Sequence, residues 1–538
     1  MPDRKVTNKR DLAWYKSRKY TPEKLDLARK ALDEIRNGRK VFDAIRRYPL
    51  PNGEGFLGKH LLVAVYRQHI KSGEWKPDPA LLARIRMKPM RTLSGVTTVT
   101  VLTKPYPCPG HCIFCPTDVR MPKSYLPDEP GAMRALHHNF DPYDQVAARI
   151  DALESIGHPT DKIELLVLGG TWNAYRKDYQ EWFIHRCLDA MNEQGTATLS
   201  DAQLFNETAN HRNVGLVVET RPDQINLQEI EWMRSLGVTK VQMGAQSLDD
   251  HILEINKRGH TVADTKKAVT LLRAAGFKIV LHWMPNLLGA TIESDKEDFT
   301  KLWQGLDPDE IKIYPTQLLK NAELYNYWKR GEYKPYTTDQ LIDLIADIKP
   351  TIPRYCRVNR IVRDIPSENV VEGNKRTSLR QDVQRELARR NTRCQCIRCR
   401  EVRSQKIDPK HLQLDDLVYQ AEFAEEHFLS YVTRQDKLAG FLRLSLPLPQ
   451  SPQIGFDDLM GAAIIREVHV YGQSLLVGEE QQGAAQHAGF GSKLINTAKQ
   501  IARQKGYQRL AVISAIGTRQ YYLKRGFKRG KLYLIQEL

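Results

Sequence analysis

Strand-like and helical segments alternate through the middle of this 538-residue chain. Runs rich in β-branched and apolar residues, such as IELLVLGG and VGLVVET, are followed by stretches in which apolar residues recur at helical spacing. A parallel strand pair needs a connection that crosses back over the sheet, and a helix provides it. The repeated units therefore predict an α/β protein whose parallel sheet curls into a partial or full (β/α) barrel, with its chemistry at the carboxyl ends of the strands.

This pattern divides the chain into four segments. Residues 1–91 are predicted to form a basic helical segment, in which Thr21 caps a helix that has proline at its first position. We place the barrel at residues 92–350, with a first strand within 94–107 and further strands at 163–170, 214–220, 240–247, 278–285 and 310–316. A basic, cysteine-rich linker follows at 351–409, and a last domain occupies 410–538.

Positive charge is concentrated in two stretches. Residues 1–91 hold 23 basic and 10 acidic side chains, residues 375–406 hold 11 and 3, and the whole chain has 81 and 64. Such local concentration is typical of a polyanion-binding surface, and we favour nucleic acid over a merely solvated basic surface. Trp14, Tyr15 and Tyr20 offer aromatic faces to unpaired bases.

The sequence contains no apolar run long enough to span a bilayer, and its first twenty residues lack the apolar core of a secretory signal. We therefore expect a cytoplasmic protein that does not associate with membranes. In that reducing compartment, clustered cysteines bind metals more readily than they form disulfides.

Three of the eight cysteines, Cys108, Cys112 and Cys115, stand four and three residues apart in the segment CPGHCIFC. A structural zinc ion takes four protein ligands, so three on one loop are better matched to a [4Fe–4S] cluster whose fourth iron binds something else. The spacing resembles the C-x3-C-x2-C signature of the radical S-adenosylmethionine (SAM) enzymes. That resemblance implies that the open iron binds SAM and that Phe114 neighbours the adenine.

The ends of three strands supply further expected SAM contacts. Gly169 and Gly170 in LGGTW let the backbone approach the amino group of SAM, with Thr171 in place of the acid of the superfamily's GGE-like motif. Glu219 could accept hydrogen bonds from the ribose hydroxyls, and Gln246 is a further polar strand end. A tight strand-to-helix turn is the alternative interpretation at each position.

A second motif lies near the C-terminus. REVHVYG is predicted to form a strand, and after a loop the segment QHAGFG leads into a helix. Glycines at a helix N-terminus let backbone N–H groups bind a pyrophosphate, assisted by the helix dipole. With the later strand LAVISAIG and the segment YYLKRGF, this order resembles the mixed-sheet GNAT acyl-CoA transferases. A dinucleotide-binding fold would need G-x-G-x-x-G, which is not clear in this segment.

The linker holds Cys394, Cys396 and Cys399 in RCQCIRC. Four thiolates make a closed structural zinc site, so we predict zinc here with Cys356 as the fourth ligand, and His411 is the alternative. Cys187 lies in an apolar helical pattern and is expected to be a core residue.

Together, the basic helical segment, radical SAM barrel, cysteine-rich linker and GNAT domain resemble the family of the catalytic subunit of Elongator, in its prokaryotic stand-alone form. The segments CPGHCIFCPTDVRMPKSYLPDEPGAMRA, HVYG, GFG and GTRQYY carry the resemblance. It implies carboxymethylation at C5 of the wobble uridine of tRNA, with acetyl-CoA as the acyl source and Tyr522 as a catalytic phenol. The acetyl-CoA site that follows from the family and the GNAT motif comprises Lys162, Glu467, Val468, His469, Val470, Gln486, Gly489, Phe490, Gly491, Ser492, Tyr521 and Tyr522.

The implied chemistry is radical chemistry on a nucleobase. A deoxyadenosyl radical would take a hydrogen from the acetyl methyl group, the resulting carbon radical would add to C5, and thioester hydrolysis would release coenzyme A. The wobble base must be unstacked to reach the barrel. Expected partners are the anticodon stem-loop of tRNA, acetyl-CoA and an electron donor, and a homodimer is compatible with the sequence. Two alternatives stay open: a protein lysine acetyltransferase with a structural cluster, and a non-catalytic RNA-binding scaffold.

Overall fold

The computed structural model describes residues 20–471 and 489–538, apart from positions 54, 404 and 406. The described chain divides into two compact units. The first comprises the residues up to Leu93 together with Ala148–Thr160, and the second comprises Ser94–Ala147 and Asp161–Leu538. None of the described helices is long and apolar enough to cross a membrane.

The first unit is helical. Its helices are α1 (Pro22–Arg36), α2 (Val41–Arg47), α3 (Lys59–Lys71) and α4 (Pro79–Ile85). The predicted cap is confirmed, because the Thr21 side chain accepts a hydrogen bond from the Lys24 amide at 3.3 Å. Leu32, Ile35 and Leu62 are fully buried in one apolar core, which lets four short helices hold together.

A seven-stranded parallel sheet, ordered β1 to β7 along the chain, begins the second unit. Its strands are β1 (Thr97–Leu102), β2 (Lys162–Leu168), β3 (Arg212–Thr220), β4 (Lys240–Gln246), β5 (Lys278–Trp283), β6 (Glu310–Ile313) and β7 (Arg357–Ile361). All six ladders are parallel, and β1 and β7 form the two edges, so the barrel is partial.

Helices connect these strands, as the alternation predicts. They are α5 (Pro130–His137), α6 (Pro142–Glu154), α7 (Lys177–Asn192), α8 (Leu199–Asn206), α9 (Leu227–Ser235), α10 (Asp250–Ile255), α11 (Val262–Ala274), α12 (Ile292–Thr300), α13 (Leu324–Lys329) and α14 (Thr338–Ile348). Two short helices follow β7, namely α15 (Leu379–Arg389) and α16 (Ile397–Arg400). Cys187 is fully buried in α7, as expected for a core residue.

The first sheet extends beyond residue 350, which is the predicted end of the barrel. Strand β7 pairs with β6 from Glu310↔Arg357 to Ile313↔Ile361, inside the segment that was predicted as a linker. Its five-residue sequence RVNRI contains only two apolar residues, which are not adjacent, so it lacks the continuous apolar run of the other strands. The strand is recognisable only from its pairing.

A second sheet of seven strands, ordered β13-β14-β12-β11-β10-β9-β8, ends the chain. Its strands are β8 (Gln413–Ala421), β9 (Ala424–Val432), β10 (Leu438–Pro447), β11 (Ala462–Val470), β12 (Arg509–Val512), β13 (Lys528–Arg529) and β14 (Leu534–Glu537). Helices α17 (Phe490–Gln504) and α18 (Arg519–Leu523) accompany it. Only the β11–β12 ladder is parallel, so the sheet is mixed.

Buried ion pairs join the two sheets. Arg466 Nη2 of β11 lies 2.6 Å from Asp309 Oδ1, which directly precedes β6, and 3.0 Å from Glu426 Oε2 of β9. Burial would raise the pKa of Asp309, but Arg466 and Arg443 outweigh that effect and lower it. Buried charges are stable only when oppositely charged groups pair with them. Because these pairs join residues of both sheets, they fix the position of one sheet relative to the other.

The same contact shows which end of the barrel faces the second sheet. Lys278, the first residue of β5, lies 2.6 Å from Glu310 Oε1, which begins β6, and 2.5 Å from Glu467 Oε1 of β11. The second sheet therefore contacts the amino ends of the barrel strands. Six residues of β5 at about 3.3 Å per residue put the carboxyl ends about 20 Å away.

Candidate functional site

The three cysteines of CPGHCIFC lie on the loop that follows β1. Cys112 and Cys115 are in side-chain contact, whereas Cys108 Sγ lies 3.5 Å from Thr171 Oγ1 and accepts a hydrogen bond from the Gly110 amide. Among the described residues, only a different cysteine group brings three ligand atoms within 4.8 Å of one another. The three loop thiols therefore do not all converge on one point, although Cys112 and Cys115 are in contact.

Electrostatics on this loop favour bound metal. The contact with Cys115, together with the Arg258 and Arg221 guanidiniums, lowers the pKa of Cys112 to about 5 against the effect of burial. The same contact, together with burial, raises the pKa of Cys115, so the two thiols share one negative charge. Cysteine binds metal as the thiolate, so the ionised member of this pair is suited to be a ligand. The donor set and its surroundings fit an iron–sulfur cluster.

The glycine-rich end of β2 reaches the cysteine loop. Gly169 and Gly170 have φ angles of 136° and 93°, and a Cβ at Gly169 would overlap Thr103 Oγ1. Glycine is therefore required there. Because Thr171 contacts Cys108, the structure brings LGGT and the cysteines together as expected.

Gln246 ends β4 in a strained conformation. Its φ angle is 70°, and its side-chain oxygen is buried without a hydrogen-bond partner among the described residues. Non-glycine residues with positive φ and unsatisfied buried amides both carry a free-energy cost, and both concentrate at ligand sites. Phe114 is buried in an apolar cluster with Cys112, Ile113 and Leu287.

Glu219 already has partners in this structure. Its Oε2 accepts a hydrogen bond from the Tyr125 hydroxyl at 2.6 Å, and its Oε1 lies 3.9 Å from His282 Nδ1. The carboxylate is therefore held in place at the carboxyl end of β3, where a ribose could approach it.

The inner face of the partial barrel is polar. Lys240 of β4 lies 2.5 Å from Glu164 of β2 and 3.4 Å from Glu310 of β6, each two strands away. Only the concave face of a curled sheet brings such side chains together. Nearer the carboxyl ends, Gln242 Oε1 accepts hydrogen bonds from both His282 Nε2 and Lys312 Nζ.

This inner network was not predicted. Lys312 is buried and has no carboxylate within 4.0 Å among the described residues, so its charge lacks a counter-ion. Burial and Lys312 lower the pKa of His282 well below its usual value, so the imidazole is neutral. The sequence feature that could have indicated this network is Lys312 itself, which interrupts the apolar pattern of EIKI.

In the second sheet, β11 carries the strand expected to bind coenzyme A. Its ladder with β12 covers only Ala462–Ile465, whereas Glu467, Val468 and His469 pair with β10 in the described ladders. Among the described ladders, none pairs the other backbone edge of these three residues, where an extended ligand could bind. The side chains of this stretch differ in role: Glu467 pairs with Lys278 and Arg443, whereas His469 Nε2 donates to the Ser94 carbonyl at 3.2 Å.

The start of α17 has the features of an anion site. Gly489, with φ 70°, precedes the helix and offers no side-chain cap to its first backbone N–H groups, which are the groups that bind anions at helix N-termini. A Cβ at Gly491 would overlap the Tyr521 hydroxyl, which explains the glycine. Ser492 Oγ accepts hydrogen bonds from Arg525 at 2.9 and 3.1 Å. Arg525 is a basic residue that was not among the expected site residues. Gln486 lies outside the described residues.

The two tyrosines of α18 lie beside this helix. Their rings meet edge to face with centroids 5.2 Å apart. Burial and the neighbouring Tyr521 raise the pKa of Tyr522 well above its usual value, so the phenol keeps its proton at neutral pH. Lys162 begins β2, at the barrel end that contacts the second sheet, and burial lowers its pKa.

Three of the four expected zinc ligands come together. The ligand atoms of Cys394, Cys396 and Cys399 all lie within 4.8 Å of one another. Thiolates on one tetrahedral zinc ion are about 3.8 Å apart, from a Zn–S distance of about 2.3 Å. Cys356 is not part of this group, although its carbonyl accepts a hydrogen bond from the Ile397 amide at 2.9 Å. His411 is exposed and pairs with Asp408.

Comparison with known proteins agrees with both halves of this architecture. The family model of the radical SAM superfamily matches residues 106–302, that of the Radical_SAM C-terminal domain matches 308–389, and that of the acetyltransferase (GNAT) family matches 396–527. The predicted fold class, a radical SAM type partial barrel followed by a mixed-sheet GNAT domain, is confirmed.

Curated relatives match nearly end to end. The tRNA uridine(34) acetyltransferases of Methanocaldococcus infernus and Dehalococcoides mccartyi are 43% and 42% identical, over 85% and 83% of this chain and 88% and 99% of theirs. Elongator complex protein 3 of Homo sapiens is 35% identical over 85% of this chain and 87% of its own. The solved structure of archaeal Elp3 from Methanocaldococcus infernus, with an N-terminal deletion, matches with a TM-score of 0.73 and 40% identity, over 83% of this chain and 100% of that one. The chain belongs to the family of Elongator complex protein 3 and the tRNA uridine(34) acetyltransferases.

Proposed function

We propose that this protein is a radical SAM enzyme that modifies C5 of the wobble uridine of tRNA, using acetyl-CoA to install a carboxymethyl group. One observation carries the proposal: a single partial barrel has the cysteine loop at the carboxyl ends of its strands and the β11 strand at their amino ends. The polar inner face between these ends offers hydrogen bonds to a base and to an acyl group.

The cluster is held by Cys108, Cys112 and Cys115 in this proposal. When bound with SAM, it supplies the one-electron reductive cleavage that yields a deoxyadenosyl radical, and it draws its electron from an external donor. Gly169, Gly170, Thr171, Glu219 and Gln246 bind SAM. The orphaned Gln246 oxygen and the contact between Thr171 and Cys108 support this assignment.

Acetyl-CoA is bound by the second sheet. The first backbone N–H groups of α17 hold the pyrophosphate, and Glu467, Val468 and His469 of β11, beyond the ladder with β12, pair with the amides of the pantetheine arm. The Tyr522 phenol, which keeps its proton, donates to the thioester oxygen or to the departing sulfur. Lys162 adds a positive charge from the barrel.

Transfer RNA is bound by the basic stretches within residues 1–91 and 375–406. Their lysines and arginines neutralise phosphates, which orients the anticodon loop without reading its sequence. Cys394, Cys396 and Cys399 bind a structural zinc ion that orders the second of these stretches, with Cys356 as the nearby fourth ligand. Zinc content measured by mass spectrometry should fall in Cys396→Ser and stay at the wild-type level in Cys187→Ser.

The function is tested anaerobically with the full-length protein. The cluster is reconstituted, a reductant, SAM, acetyl-CoA and unmodified tRNA are added, and the RNA is digested for nucleoside mass spectrometry. We expect carboxymethyluridine from the wild type and from Cys187→Ala, whose buried cysteine lies within α7 and is none of the expected ligands. Cys112→Ala should give none.

Two results would contradict the proposal. Acetylation of an added lysine peptide, with unchanged tRNA, would favour the lysine acetyltransferase. Binding of tRNA without cleavage of SAM or consumption of acetyl-CoA would favour the scaffold. Detection of an acetylated uridine in place of carboxymethyluridine would support tRNA as the substrate and would show that the proposed product is wrong.

A further inference from the structure

Two buried arginines converge on the cysteine loop from separate parts of the barrel. Arg221 directly follows β3, and Arg258 follows α10. Their exposed fractions are 3% and 6%. Arg221 Nη2 donates to the Arg258 carbonyl oxygen at 2.9 Å, so the two are linked.

Arg258 contacts a cluster ligand directly. Its Nη1 donates to Cys112 Sγ at 3.4 Å and its Nη2 donates to the Gly244 carbonyl at 2.6 Å, while its Nε is buried without a partner. No carboxylate lies within 4.0 Å of this guanidinium among the described residues. The buried charge therefore has two partners, the Gly244 carbonyl and the Cys112 sulfur, and the sulfur is the one that can carry a compensating negative charge.

Arg221 is also incompletely satisfied. Its Nε donates to Asp223 at 2.9 Å, but its Nη1 is buried without a partner and points at Gly110, where a Cβ would overlap it. Buried guanidiniums are costly unless an anion compensates them. Asp223 compensates Arg221, whereas Arg258 has no carboxylate partner among the described residues. Each guanidinium keeps one orphaned donor, which indicates that a negatively charged group belongs beside the Cys108–Cys115 loop.

We infer that Arg258, supported by Arg221, is a positioning residue that donates a hydrogen bond to the Cys112 sulfur and raises the reduction potential of the cluster. This inference rests on the cluster proposed above. Hydrogen bonds to the cysteine sulfurs and the local net charge are among the factors that set the potential of an iron–sulfur cluster. Reduction adds one electron from the external donor and hence one negative charge, which the guanidinium stabilises. The arginine stays protonated and transfers no proton.

The test compares three variants of the full-length protein. Arg258→Met removes the charge and the donor, and Arg258→Lys keeps the charge but loses the planar fork. Arg234→Lys is the matched control, because Arg234 is equally buried but bonds the Val238 and Leu532 carbonyls, away from the cysteines. Each protein is reconstituted anaerobically, its iron content is measured, and its midpoint potential is taken from an EPR-monitored redox titration.

We expect the midpoint potential to become more negative in Arg258→Met, to shift less in Arg258→Lys and to stay unchanged in Arg234→Lys. A purely structural role would not move the potential of a fully loaded cluster. A loaded Arg258→Met protein with the wild-type potential would overturn the inference. If Arg258→Met takes up no iron, the Arg258→Lys variant decides. A midpoint potential more negative than that of the wild type supports the inference. A wild-type potential overturns it, and so does failure to bind iron at a wild-type melting temperature. Wild-type protein that binds no iron would refute the cluster itself.

Discussion

Arg525 offers the sharpest test of the acetyl-CoA site, because its guanidinium is pre-positioned at the start of α17. Its Nε and Nη2 donate to Ser492 Oγ, its Nη1 donates to the Tyr521 carbonyl at 2.8 Å, and its central carbon lies 3.5 Å from the centre of the Tyr521 ring. A guanidinium has five N–H donors, so two remain for a ligand. None of the ion pairs among the described residues includes it, which leaves its charge for a phosphate.

The expected effect follows from the strength of charge-assisted hydrogen bonds. One such bond contributes about 1.5–3 kcal/mol. Arg525→Ala should therefore weaken coenzyme A binding by about 10- to 100-fold in Kd. The assay is isothermal titration of the full-length protein with coenzyme A, with 3′-dephospho-coenzyme A and with pantetheine.

Each ligand isolates one contact. A loss that is equal for coenzyme A and its 3′-dephospho form assigns Arg525 to the pyrophosphate, and a loss seen only with coenzyme A assigns it to the 3′-phosphate. Pantetheine has no phosphate and should bind both proteins alike. Arg503→Ala, in the exposed last turn of the same helix, is the control for charge alone. An unchanged Kd for coenzyme A in Arg525→Ala would refute the reasoning, whereas a wild type that binds no coenzyme A would refute the site.

Three further predictions follow from the packing. In Gly491→Ala the new methyl group meets the Tyr521 hydroxyl. Coenzyme A binding should therefore weaken by about tenfold, while the melting temperature stays nearly unchanged. Unimpaired coenzyme A binding would contradict the close approach of Gly491 to Tyr521. Arg466→Met removes the arginine that Asp309 and Glu426 share and leaves them only the longer contacts with Arg443 and Arg273, so it should cost about 3–5 kcal/mol in urea unfolding. A loss below about 1 kcal/mol would show that the Arg466 ion pairs do not hold the sheets. Burial raises the pKa of Asp295 to about 7, so its contribution to stability is complete below about pH 4 and is lost as the pH rises through 7. Asp295→Asn should therefore flatten the decline of the melting temperature between pH 4 and 7, and an unaltered decline would refute the assignment.

Local sequence patterns predicted much of the fold. The six barrel strands with apolar or β-branched runs appear close to their expected positions, because burial on both faces imposes a composition that is visible without the structure. Strand β7 was missed, since a five-residue strand with two arginines shows no such run. Its membership in the sheet depends on the pairing with β6.

The candidate site divides in the same way. Cys108, Cys112 and Cys115 were recognisable as expected cluster ligands because they stand on one loop at a fixed spacing, and Gly491 as part of an expected phosphate site because such a site restricts side chains locally. Arg221 and Arg258 were not, because they lie 37 positions apart and meet only because β3 and β4 pair as neighbours in the sheet. No short window of sequence contains that relation.

The sequence by itself determined the two chemistries and the order in which the chain presents them, since cysteine spacing and a glycine-rich helix start are local requirements. Only the tertiary structure decided how they are arranged. The ion pairs of Lys278 and Arg466 attach the second sheet to the amino ends of the barrel strands, while the cysteine loop follows a carboxyl end. Side chains two strands apart, such as Gln242 and Lys312, meet on the inner face because the sheet is curled. These contacts join residues far apart in the chain, so they depend on packing and not on any local preference.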